Sequence, residues 1–234
     1  MLASGAADFA DPQAPPGPLL ATGRWSDIYI LDHDRLLRRN RYRDVSPDEF
    51  ELLHLVTSEG FPAPMPYEVH GRDLILERLH GPTLLQSLAA GETPLQEVAG
   101  ILADLHTRLH AVPPPKGSRP GQVIVHLDLH PANIILTENR GPVLIDWTTA
   151  ALGSAAVDVA ITALLIAEVA VDPDGEYVRP ARALLAVFML TANGDILGGL
   201  EGAVRQRLSD PGLEPGELLL VPAAAELVRH LLTR

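Results

Sequence analysis

The spacing of apolar residues changes along this 234-residue chain, and that change limits the fold more than any single motif does. Before His80-Gly81-Pro82 the apolar runs are short: Leu19-Leu20-Ala21, Ile28-Tyr29-Ile30-Leu31, Leu36-Leu37, and stretches around Tyr67 to His70 and Asp73 to Glu77. Turn-forming residues separate them, at Gly23-Arg24-Trp25-Ser26-Asp27 and Asp32-His33-Asp34, so they read as a small antiparallel sheet. One helix interrupts the strands. Ser46-Pro47-Asp48-Glu49 offers a capping residue, a proline at the first helical position and a carboxylate three residues after the cap, with Gly60 as the stop. Pro62, Pro64 and Pro66 then enforce an extended segment.

Past His80 the spacing becomes helical. Leu95, Val98, Leu102, Leu105 and Leu109 recur every three or four residues, after a second capping pattern at Thr93-Pro94-Leu95-Gln96. Short strands return from Val123 to Trp147 around the turn Glu138-Asn139-Arg140-Gly141, and the remainder is mostly helical, broken near Asp172-Pro173-Asp174-Gly175 and Asp210-Pro211-Gly212. The expected fold class is α+β with two lobes, since the length suffices for two small cores. Residues 1–17, rich in Ala, Pro and Gly, are expected to be a loose tail. Residues 18–79 form the sheet lobe with its one main helix, and residues 80–234 a mostly helical lobe.

The formal net charge of -12 repels phosphate backbones and anionic lipid, which argues against a nucleic-acid or membrane-surface role and suits a cationic partner. There is no cysteine, hence no disulfide and no thiolate metal site. The apolar stretch Ile161 to Val171 contains Glu168 and is too short to span a bilayer, and Met1 to Ala10 lacks a basic, apolar leader pattern. A cytoplasmic protein is expected. The single lysine, Lys116, lies in a Pro/Gly-rich loop, so any buried cationic task falls to arginine or histidine.

The chemistry concentrates in His126-Leu127-Asp128-Leu129-His130-Pro131-Ala132-Asn133, followed by Val143-Leu144-Ile145-Asp146-Trp147. Carboxylates and amides beside apolar strands are expensive unless ligated or hydrogen-bonded, so a site is expected here. The spacing His-x-Asp-x-x-x-x-Asn, then a hairpin ending in Asp, is the arrangement used for phosphoryl transfer. There the first Asp orients the acceptor hydroxyl, while the Asn and second Asp hold Mg²⁺ through hard oxygen donors.

These segments resemble the aminoglycoside phosphotransferase and choline kinase superfamily, small-molecule relatives of protein kinases, over roughly Leu19 to the C-terminus. The resemblance implies a two-lobed kinase-like fold, with Mg²⁺ and ATP (or GTP) acting on a small-molecule acceptor such as an aminoglycoside, amino sugar or choline-like alcohol. It implies Asp128 as catalytic base, Asn133 and Asp146 as metal ligands, and Asp158 as a buried brace of the catalytic loop. For the nucleotide it implies Glu77 to Leu79 as the hinge, Gly23 and Ser26 in the covering turn, and Leu36 against the adenine. Arg38 stands where the family has a strand lysine, with Glu49 as its helix partner. Leu127 replaces the usual glycine of the catalytic loop, and the covering turn has only Gly23 where related loops carry more.

Other readings stay open. A capping box competes for Glu49, and Glu51 is the fallback partner of Arg38. Arg38 and Leu127 also suit a pseudokinase-like binding module. His126, Asp128 and His130, with His106 and His110, could instead make a zinc site and a metallohydrolase, while the plainer view of His106 and His110 is helix surface or an interlobe contact. Glu168, Asp172, Asp174 and Glu176 are candidate attractants for a cationic acceptor.

Overall fold

A computed structural model of the protein describes residues 16–233, so residues 1–15 of the expected tail lie outside the described residues. The chain forms two compact units, one built from residues up to Val45 with Pro66–Arg78, the other from Ser46–Met65 with Leu79 onward.

The first unit is an antiparallel sheet of β1 (Leu19–Thr22), β2 (Ser26–Ile30), β3 (Arg35–Asn40), β4 (Pro66–His70) and β5 (Asp73–Glu77), in the order β1-β2-β3-β5-β4. Leu37, Leu74 and Ile75 are buried in it. Registry is reinforced by charge. Arg39 faces Asp73 across the β3–β5 pair and donates to its carboxylate through Nε and Nη2, both at 2.7 Å. Bidentate arginine pairs of this geometry add directional specificity to a strand pair.

The second unit contains α1 (Pro47–Ser58), α2 (Leu84–Ala89), α3 (Leu95–Ala111), β6 (Val123–Val125), β7 (Ile134–Thr137), β8 (Gly141–Leu144), β9 (Ala151–Gly153), α4 (Ala155–Val171), α5 (Val178–Thr191), α6 (Ile196–Leu208) and α7 (Pro215–Leu232). The helix expected to belong with the sheet therefore groups with the helical unit. Its buried face of Leu52, Leu53 and Val56 packs with the segment that follows β8 and with β9. At its start Ser46 makes no side-chain cap hydrogen bond, so the competing capping-box reading of Glu49 is not realised; Glu49 is buried. Thr93 likewise caps nothing. Pro94 occupies the N-cap of α3, and the Thr93 hydroxyl pairs with that of Ser87 at 2.7 Å. Capping boxes form instead at Thr83 and Gln86, where one starts α2, and at Glu214 and Glu217 at the start of α7.

Helix α4 is the centre of this unit, with α5, α6 and α7 packed around it. It is buried over most of its circumference, which is why its sequence is apolar without a polar face. Close crossing with α6 depends on Gly199, where a Cβ would come within 2.0 Å of the Ala156 carbonyl oxygen. The C-terminal helical stretch breaks at the two expected places and also at Ala192 to Asp195, where the Asp195 carboxylate caps α6 by accepting from the Gly198 N–H. Among the described residues no helix is long and apolar enough to cross a membrane.

Candidate active site

Strands β6 and β9 pair antiparallel, Val125 opposite Ala151, and so close a loop that holds residues 126–150. Inside it β7 and β8 form a hairpin with Ile134 opposite Leu144. This register brings Asn133 and Asp146 to the same end of the hairpin, and the Ile145 N–H donates to the Asn133 carbonyl at 2.8 Å. Three short segments thus converge: the His126–His130 loop, the 3-10 turn Pro131–Asn133 and the turn beginning at Asp146.

Asp128 and Asn133 are bonded directly. The Asn133 side-chain nitrogen donates to the Asp128 carbonyl at 3.0 Å and to its carboxylate Oδ2 at 2.9 Å. That commitment turns the amide oxygen of Asn133 away from Asp128, and oxygen is the atom a hard cation takes from an amide. Burial would raise the Asp128 carboxyl, but His130, whose Nε2 stands 3.5 Å from Oδ1, together with His126 and Asn133, holds it below its ordinary value. Asp128 is therefore a carboxylate at neutral pH, with one oxygen directed by Asn133 and the other facing His130.

Asp146 has φ 61° and ψ 71°, a left-handed conformation that aspartate tolerates better than most residues. It is exposed, and its Oδ1 accepts from the Thr148 hydroxyl at 2.8 Å. The next side chain, Trp147, is buried, donates from Nε1 to the Leu144 carbonyl at 3.0 Å and meets Phe61 and His126 edge to face, with centroids 5.8 and 5.2 Å away. Thr149 donates to the His126 carbonyl at 2.8 Å. With Asn133 and Asp146 both offering oxygen, the residues present fit a divalent cation of the Mg²⁺ type.

Behind the loop stands Asp158, in the first turn of α4 and without solvent exposure. Its Oδ1 accepts the N–H groups of Leu127 at 2.7 Å and His126 at 3.2 Å, and its Oδ2 faces His110 Nε2 at 2.8 Å and His106 Nδ1 at 3.3 Å. Burial opposes ionisation, yet the two histidines push this carboxyl far below its ordinary value. Leu127 itself has φ 63°, so the residue replacing the family's glycine adopts the backbone a glycine would.

His126, Asp128 and His130 do not form a three-donor cluster; among the described residues the cluster of that kind is His106, His110 and Asp158, with ligand atoms within 4.8 Å of one another. The His126 ring lies against the Ile145 carbonyl, 3.1 Å from Nε2, and His130 Nδ1 accepts from the Ala132 N–H at 3.3 Å. His106 and His110 do not lie on a helix surface either. His106 is 1% exposed, with Nε2 2.8 Å from the Thr162 hydroxyl, which donates to the Leu129 carbonyl at 2.7 Å. The signal was in the sequence, because these positions continue the Leu102, Leu105, Leu109 stripe of α3.

The remaining candidates divide between the units. In the sheet, Gly23 donates to the Ser26 carbonyl at 2.8 Å across the β1–β2 turn, Leu36 and Arg38 alternate with buried Leu37 on β3, and Glu77 ends β5. Arg38 is buried. Leu79 and the buried Glu49 belong to the helical unit. Just beyond Leu79, Gly81 has φ 146°, and a Cβ there would lie 2.0 Å from the Leu136 carbonyl oxygen, so the segment after Leu79 can lie flat on β7 only with glycine at this point. Of the acidic candidates for a cationic acceptor, Glu168 is taken by Arg207, which donates to it at 2.9 to 3.2 Å. Asp174 and Glu176 are exposed.

Comparison with known proteins is informative over this same region. Residues 118–186 match the family described as "Phosphotransferase enzyme family". The match takes in the whole candidate loop, residues 126–150. No curated protein sequence matches the chain. The fold is that of kinases acting on small molecules. The gentamicin complex of APH(2")-IIa has a TM-score of 0.60 at 14% identity, covering 90% of this chain and 92% of that one. A thermostable mutant of aminoglycoside phosphotransferase APH(4)-Ia, in ternary complex with AMP-PNP and hygromycin B, gives 0.53 at 16% identity, with 92% of each chain covered. Choline kinase from Cryptosporidium parvum Iowa II gives 0.53 at 12% identity, covering 92% of this chain and 87% of that one. The segment match and these neighbours agree with the aminoglycoside phosphotransferase and choline kinase superfamily resembled by the sequence.

Proposed function

We propose that this chain is a small-molecule kinase that moves the γ-phosphoryl group of ATP (or GTP) to a hydroxyl of a small acceptor, with an amino sugar, aminoglycoside or choline-like alcohol as the class to test first. The observation that carries the reading is the Asn133 to Asp128 bond, which directs the carboxylate of one and leaves the amide oxygen of the other for a cation beside Asp146. The AMP-PNP and hygromycin B bound by the APH(4)-Ia neighbour support a nucleotide and an amino-sugar acceptor by analogy of fold.

In this reading Asp128 hydrogen-bonds the acceptor hydroxyl and aligns its oxygen with the γ-phosphorus. The acceptor O–P bond forms as the bond from γ-phosphorus to the bridging oxygen breaks, the hydroxyl proton passes to Asp128, and the nucleoside diphosphate leaves. A carboxyl held below its ordinary value is a weak base, so Asp128 contributes chiefly by orientation and takes the proton late, as a loose phosphoryl transition state permits. Mg²⁺, held by Asn133 and Asp146, would supply charge neutralisation of the phosphates. Gly23, Ser26, Leu36, Arg38, Glu49, Glu77 and Leu79 are the proposed nucleotide residues, Arg38 serving as the phosphate cation in a chain whose single lysine is in a loop.

The test is transfer of labelled γ-phosphate by the purified chain to a panel of amino sugars, choline-like alcohols and nucleosides. Asp128→Asn is expected to lower turnover by about 10² or more with an unchanged circular dichroism spectrum. Wild-type turnover in that variant would remove Asp128 from the reaction.

A further inference from the structure

Asp146 sits on an exposed turn, which is a poor place from which to present a carboxylate in one orientation. A metal ligand benefits from a second hydrogen bond that fixes its rotamer, and loss of such a partner commonly costs about 10- to 100-fold in metal affinity. Here the two residues after Trp147 are both threonine, and their hydroxyls act in different directions. Thr148 donates to Asp146 Oδ1 at 2.8 Å, and Thr149 donates to the His126 carbonyl at 2.8 Å. One hydroxyl orients the carboxylate, while the other ties the same turn to the catalytic loop.

We infer that Thr148 is a positioning residue for the divalent cation: its hydroxyl occupies one acceptor site of Asp146 Oδ1 and so fixes the orientation in which the carboxylate would be presented to the metal. Thr149 anchors the turn from which Thr148 acts. The inference rests on the kinase reading of Asp146. Its chemistry is simple. A hydroxyl has one proton to donate, and a carboxylate oxygen has two acceptor sites, so the bond fixes the side chain without removing its charge. Serine at this position can make the same bond, whereas valine preserves the shape and cannot.

The experiment measures Mn²⁺ binding to the full chain with a non-hydrolysable ATP analogue, following free Mn²⁺ by electron paramagnetic resonance, for wild type, Thr148→Val, Thr148→Ser and Asp146→Ala. Expected are a Kd raised about 10-fold in Thr148→Val, a change of less than about twofold in Thr148→Ser, and loss of the site in Asp146→Ala. Urea melts confirm that each variant is folded. If Asp146→Ala abolishes binding while Thr148→Val binds like wild type, the positioning role is overturned and the metal reading stands. If Asp146→Ala binds like wild type, both fall. A weakening equal in the serine and valine variants also overturns the proposal, because it would then rest on packing rather than on the hydroxyl.

Discussion

Replacing Asp158 by Asn tests the brace behind the His126–His130 loop. The carboxylate is fully buried and satisfies two backbone N–H groups through Oδ1, while Oδ2 faces two imidazoles at 2.8 and 3.3 Å. Asparagine keeps one carbonyl oxygen, enough for the Leu127 and His126 amides, and sets an NH2 group against the histidine nitrogens. One charge-assisted bond is lost, about 1.5 to 3 kcal/mol, and one buried polar group is left without a partner, about 1 to 3 kcal/mol. The expected destabilisation is about 3 to 5 kcal/mol, the range found when a buried ion pair loses one member. In a chain of this size each kcal/mol lowers Tm by about 2 to 4 °C, so a drop on the order of 10 °C should accompany it. Urea denaturation followed by far-UV circular dichroism at pH 7 reads the difference. The sign of its pH dependence is fixed as well. The folded carboxyl lies below its unfolded value near about 4, so its stabilisation is complete above that pH and fades as pH falls through the folded value. The gap between wild type and Asp158→Asn should narrow below about pH 4. A difference under about 1 kcal/mol at pH 7, or a gap that widens in acid, would refute the reasoning.

Two further outcomes concern single strained or charged positions. Leu127 adopts φ 63°, which costs roughly 1 to 2 kcal/mol for an L-residue and more for a β-branched one. Leu127→Ile should therefore unfold at lower urea than Leu127→Gly although it preserves volume, and the reverse order would dismiss backbone strain there. Arg207→Met leaves the buried Glu168 carboxylate without its cation and should cost about 3 to 5 kcal/mol at pH 7. Burial holds the Glu168 carboxyl above its ordinary value even with Arg207 in place. Protonation therefore relieves the variant, and its deficit should shrink on acidification; a deficit that grows in acid contradicts the buried-charge account.

Much of the fold was legible in the sequence because its strands and its principal helices are marked by local signals: period-two runs between turns, proline at helix starts, glycine or proline at stops. The hairpin spacing from Asn133 to Asp146 was legible for the same reason. What sequence reading missed depends on competition between partners. Ser46 and Glu49 have the letters of a capping box, and local letters alone could not choose between that role and the Arg38 pairing expected from the resemblance; Ser46 makes no side-chain cap bond and Glu49 is buried. For His106 and His110 the sequence leaves open helix surface or a satisfied interlobe contact, and it does not identify their partner, an aspartate from α4. The helix break at Ala192 to Asp195 has a weak signal, a lone Asn-Gly pair. The grouping of α1 follows from which apolar surface it meets, which only the assembled chain decides.

The pairing of β6 with β9 works like a drawstring. With the neck closed from Val123 to Gly153, the relative positions of Asp128, Asn133 and Asp146 are set by contacts made inside the purse and by one aspartate just outside it. On comparison, the match to the phosphotransferase family model runs over residues 118–186, which takes in this whole loop, and the solved kinases share the fold at 12 to 16% identity.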